Sequence, residues 1–122
     1  MALAKNMMQG GMSAGGAKAI NGNLAATLTA TGTTIADALA LSADTNLITT
    51  TASGTGVKVP SCEQGDSVEI YNGGANSLKV YPDTTSVQFN ALGNGNAFTL
   101  GTNTMCYCRR ISATRWIVNL SA

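Results

Sequence analysis

The feature that most limits the fold is a series of short apolar–polar alternations that begins at Leu24 and is broken every few residues by Gly, Asn, Pro or Ser. A period of two marks a strand with one buried face, and the breaks supply the turns between strands. SVEIYN (67–72) sets Val68 and Ile70 on one side and Ser67, Glu69 and Tyr71 on the other. SLKVYP (77–82) repeats the pattern with Leu78 and Val80 inward, and the intervening GGAN loop (73–76) predicts an antiparallel hairpin. SVQFN (86–90) and NAFTL (96–100) flank a Gly93-Asn94-Gly95 turn. TMCYCRRI (104–111) and TRWIVNL (114–120) predict a closing hairpin across Ser112 and Ala113, with Trp116 in the core. Upstream, LAATLTAT (24–31), NLITTTA (46–52) and VKVP (57–60) read as strands, the last ended by Pro60. TIADALAL (34–41) stays open between one short helix capped by Thr34 and a strand with Ile35 and Leu39 on one face. These elements predict an all-β domain over 24–122, arranged as a sandwich, jelly roll or small barrel.

Composition supports that class. Hydrophobic residues make up 44% of the 122, but only 11% are charged and 5% aromatic, so the remainder is largely Thr, Ser, Asn and Gly. Thr suits strands, and Asn and Gly suit turns. So few charges are unusual for a free monomer and point to a surface covered in an assembly. The net charge of +1 gives no footprint for nucleic-acid binding. No segment is apolar enough to span a membrane, and MALAKNMMQGGMSAGG lacks the apolar core of a signal peptide. The three cysteines, Cys62, Cys106 and Cys108, do not make a disulfide framework, and reduced thiols are expected.

Residues 1–23 differ from the rest. Five glycines interrupt any regular element, and four of the chain's five methionines fall here. Glycine makes such a segment costly to order alone, while Met adapts to irregular apolar surfaces. The segment is therefore expected to be a mobile arm that orders against a neighbouring subunit, with Met7, Met8, Met12 and Lys18 as candidate contacts. Arg109 and Arg110, with Arg115 across the turn, form the densest charge cluster. They pair with acidic groups on a partner or, more simply, with carboxylates of the same domain.

The chain offers little for catalysis. It has no histidine, the commonest general base and zinc ligand. The single residue between Cys106 and Cys108 is too short a spacing for a structural zinc site. Buried small hydrophobes on a core-facing strand explain the pair more simply. Glu63 and Asp66 fit a turn, and no glycine loop is followed by the lysine and helix that a phosphate site needs. No catalytic residue, metal or cofactor is expected.

Four stretches carry a resemblance. They are Thr31-Gly32-Thr33 before Ala36-Asp37-Ala38, Gly56-Val57-Lys58-Val59-Pro60, Asn76-Ser77-Leu78-Lys79-Val80-Tyr81-Pro82, and Ser112-Ala113-Thr114-Arg115-Trp116. Together these resemble a module of small structural proteins of tailed bacteriophages, over nearly the whole chain after the arm. The resemblance implies a capsid decoration (cement) protein on the outer surface of the virion. Its partners would be the major capsid protein and itself, as a homotrimer at three-fold junctions. An alternative within the same resemblance is a fibre-associated module that binds a host receptor or glycan, with Tyr71, Asn72, Asn76 and Tyr81 as its groove. The Cys-Tyr-Cys segment is not part of the pattern.

Overall fold

The computed structural model describes residues 23–121. These form ten strands: β1 Leu24–Thr29, β2 Leu39–Ala40, β3 Thr45–Thr50, β4 Gly56–Lys58, β5 Ser67–Asn72, β6 Leu78–Tyr81, β7 Gln88–Phe89, β8 Phe98–Leu100, β9 Thr104–Ser112 and β10 Arg115–Leu120. They divide between a six-stranded sheet, in the order β1-β3-β5-β9-β10-β7, and a four-stranded sheet, in the order β2-β4-β6-β8.

The domain is all-β, as the alternation predicts, but the chain winds as a solenoid rather than as a jelly roll or a barrel. Successive strands from β1 to β6 alternate between the two sheets. A strand that re-enters its own sheet after crossing the other one returns in the same direction, so β1, β3 and β5 are parallel, as are β2, β4 and β6. A jelly roll would need antiparallel neighbours throughout, and a barrel would leave no edges. Here β1, β7, β2 and β8 are all edges. The last strands close the winding with antiparallel pairs, β8 on β6, β9 on β5 and β10 on β9.

The expected hairpin of 67–82 is therefore an arch. The 67–72 and 77–82 segments lie in different sheets and do not pair. Their apolar faces were read correctly: Val68, Ile70, Leu78 and Val80 are all buried. Alternation reports which face is buried and is silent about which neighbour completes the sheet. The arch is set by Asn72, whose side chain is buried in the bend. Its amide nitrogen donates to the carbonyls of Asn76 (2.9 Å) and Leu100 (3.0 Å). Its amide oxygen accepts from the Thr51 hydroxyl (2.9 Å) and the Gly74 N–H (3.1 Å). Gly74 is required there, because a Cβ would lie 2.4 Å from the Thr51 oxygen. Backbone groups that a hairpin would have paired are thus satisfied by one side chain. The 86–90 and 96–100 segments also separate, with Phe89 and Phe98 meeting edge to face at 4.8 Å across the two sheets.

The ambiguous 34–41 stretch takes neither alternative whole. One turn closes from Ala38 N–H to the Thr34 carbonyl, and Leu39–Ala40 follows as a two-residue strand. Asp37, not Thr34, organises the turn: its Oδ1 accepts from the N–H groups of Thr33 and Thr34 and from the Thr34 hydroxyl. These bonds, the Thr34 N–H foremost, hold the Asp37 carboxyl below its ordinary range. Gly32 turns the chain beneath it at φ +75°, where a Cβ would strike the Asp37 backbone.

The core lies between the sheets around Trp116, Phe89, Ile48, Ile70, Leu78 and Leu100. The last hairpin forms with Trp116 fully buried, but it turns on Ala113 and Thr114, one residue beyond the predicted Ser112 and Ala113, because Ser112 stays in β9 opposite Arg115. Among the described residues no helix is long and apolar enough to cross a membrane.

Candidate functional site

The surface that stands out is the outer face of the six-stranded sheet. In β9 the inward positions are Cys106, Cys108 and Arg110, so Met105, Tyr107, Arg109 and Ile111 point outward. In β5 the outward positions are Ser67, Glu69 and Tyr71, and in β10 Ile117 shares the outer face with Arg115 and Asn119. Register brings these into rows. Tyr71 is opposite Met105, Glu69 opposite Tyr107, Ser67 opposite Arg109, and Arg109 in turn opposite Ile117. Leu47 of β3 extends the Tyr71–Met105 row.

Five of the large hydrophobic side chains exposed among the described residues gather here: Tyr71 (37%), Met105 (37%), Tyr107 (39%), Ile111 (45%) and Ile117 (44%). Exposed apolar residues scattered singly need no explanation, but a contiguous group of them marks a surface built to be covered. Its charges are Glu69, Arg109 and, at the margin, Arg115. The Glu69 carboxylate accepts one long hydrogen bond from the Thr45 hydroxyl (3.4 Å), and neither Glu69 nor Arg109 forms an ion pair among the described residues.

The sequence-predicted contact residues separate. Arg109 lies on this face. Arg110 points the other way and is buried. Its guanidinium pairs with Asp83 (3.1 Å), donates to the carbonyls of Ser112 and Ala113 (2.7 Å each), and sits 5.7 Å over the Trp116 ring. Asp83 also accepts from the Trp116 indole N–H (3.2 Å). Arg110 therefore closes the β9–β10 turn and anchors it to the core, which is the plainer of its two sequence readings. Met7, Met8, Met12 and Lys18, with the rest of the expected arm up to residue 22, lie outside the described residues.

The four residues expected to form a glycan groove are not on one surface. Asn72 and Tyr81 are buried, Tyr81 donating its hydroxyl proton to the Thr33 carbonyl (3.0 Å). The Asn76 amide is spent on the Thr51 carbonyl, and Tyr71 alone belongs to the outer face.

The cysteines are free. Cys106 and Cys108 are buried side by side, sulfur to sulfur 3.8 Å. Hydrogen bonding to Cys106, then burial, pushes the Cys108 thiol far up, so it stays protonated. Cys62 is half-buried beside an open cavity of about 490 Å³ lined also by Glu63, Asp66 and Arg110, and burial raises its thiol too. Neither environment makes a reactive thiolate. Among the described residues, no three His, Cys, Asp or Glu side chains stand close enough to share a metal ion.

Sequence reasoning leaves Tyr107 open between core and surface and does not single out Met105, Ile111 and Ile117. The signal was present: they alternate with Cys106, Cys108 and Trp116, which were read as core-facing. No family model, curated protein or solved structure significantly matches the chain.

Proposed function

We propose that the protein is a structural component of a tailed-phage virion, a decoration protein that stabilises the head by binding junctions between major capsid subunits. The observation that carries this reading is the apolar outer face of the six-stranded sheet, on a chain with 11% charged residues. A two-sheet body with one outer face that carries a cluster of exposed apolar side chains is suited to sitting between protein neighbours. It adds stability by mass action, because it binds the assembled lattice and not the separated subunits. Many copies on one shell add avidity. The resemblance to small phage structural modules supplies the capsid as the setting.

The test is binding of the purified chain to undecorated heads of its phage, followed by thermal challenge. Saturable binding at hundreds of copies per head, with a raised temperature of head disruption, is the expected result. No binding to heads would overturn the reading. A few to a few dozen copies confined to fibres would favour a fibre module instead.

A further inference from the structure

We infer that the outer face of the six-stranded sheet is closed by a second copy of this chain, packed face to face about a two-fold axis. This inference concerns the same face that carries the virion reading: a pair formed in the free protein occupies that face, and the head would then be met by other surfaces of the pair. It also differs from the three-fold ring that the family resemblance implies.

The face is self-complementary. It carries a carboxylate on β5, Glu69, and a guanidinium on the adjacent strand β9, Arg109, one row apart. Neither has an ion-pair partner among the described residues. An axis lying between two such faces, along the strands and midway between β5 and β9, sets β5 of each copy over β9 of the other. Tyr71 of one copy then meets Met105 of the second, because these two already share a row. Glu69 comes within side-chain reach of Arg109 of the second copy, and symmetry makes this contact twice. Tyr107 and Ile117 fill the remainder with apolar surface.

The size is adequate. Four neighbouring strands and three to four rows of outward side chains cover roughly 450 Å² in projection, from ordinary strand spacings. That is of the same order as the ~800 Å² of accessible surface each partner contributes to a stable interface. Sheets with inner faces of this kind stack in β-sandwiches at about 10 Å.

The test uses the full chain and charge reversal. Wild type should sediment as a dimer at micromolar concentration and dissociate on dilution. Glu69→Arg places Arg against Arg109 of the other copy, and Arg109→Glu places Glu against Glu69. Each should weaken the homodimer by about tenfold or more while circular dichroism stays unchanged. Mixing the two variants should restore a one-to-one heterodimer, since both contacts are then between opposite charges. The double variant E69R/R109E should again form a homodimer. A misfolded variant could not produce that rescue. A wild type that stays monomeric overturns the proposal. So does a trimer indifferent to either change, or single variants that do not pair when mixed. If the variants lose binding to undecorated heads while wild type is monomeric in solution, the face belongs to the capsid contact and the pairing is wrong.

Discussion

The two sheets bury the same kind of core but present opposite outer faces. The six-stranded sheet shows Tyr71, Met105, Tyr107, Ile111 and Ile117 to the outside. The four-stranded sheet shows Ala40, Lys58, Lys79 and Thr99, and Tyr81 folds down over Gly56 with its hydroxyl on the Thr33 carbonyl. Lysine heads stay in water while their stems cover what lies beneath. One face is thus finished by its own side chains and the other is not. The lesson is that low overall charge does not describe this surface evenly: the unfinished apolar area is concentrated on one side, where a protein neighbour can cover it.

The sharpest way to probe that contrast is to cross from the outer face to the inner one by a single residue. Arg110→Ala should destabilise the fold by about 3–5 kcal/mol, because it leaves Asp83 buried without its partner. Arg109→Ala, one position away and exposed, should shift stability by no more than about 0.5 kcal/mol. Urea unfolding of the two variants measures the gap, and similar values would break the assignment of faces.

Next in size is Ile117→Asp, a charge set in the middle of the apolar face. It should abolish association with its protein neighbours, seen in sedimentation or head binding, with little change in melting temperature. Thr99→Asp on the four-stranded sheet should leave both unchanged. Loss of association from Thr99→Asp would reverse the comparison.

Thiol accessibility gives a smaller, purely structural check. In the native protein only Cys62 should react with a disulfide reagent, slowly at neutral pH because its thiol is raised; all three cysteines should react after unfolding. Fast reaction of Cys106 or Cys108 in the native state would mean that they do not face the core between the two sheets.

The smallest effect concerns Asp37, at the turn leading into the edge of the four-stranded sheet. Its folded carboxyl is depressed below the ordinary value of 3.8. Its contribution to stability is therefore complete above that value and lost as pH falls through the lower folded value. Asp37→Asn should flatten the acid limb of the stability profile below about pH 4 and leave the neutral region nearly unchanged; an acid limb identical to wild type would remove this role.

Much of this was legible before the structure. Buried positions in Ser67–Asn72 and Thr104–Ser112, and Leu78 and Val80 in β6, follow the period of two, while Tyr81 is buried from the other face; the closing hairpin is local enough for its short turn to specify it. Even the outward set on β9 was implied once Cys106 and Cys108 were placed inward, because adjacent residues must point apart. The same parity puts Arg110 inside, which the count of clustered arginines obscured.

What the sequence by itself determined is the class of structure and the buried face of the clearest alternating strands, those around Val68 and Ile70, Leu78 and Val80, and Trp116, together with the absence of any histidine for acid–base chemistry. Only the tertiary structure decided which sheet each strand joins. An arch and a hairpin need the same alternation and similar turn residues, and they differ in what satisfies the backbone at the bend. Here that is the side chain of Asn72, held by Thr51, Gly74, Asn76 and Leu100. Those partners are spread along the chain and meet only when the coils stack, so no local pattern could announce them. The apolar outer face is decided in the same way: Tyr71, Tyr107 and Ile117 become one surface because β5, β9 and β10 are neighbours in a single sheet.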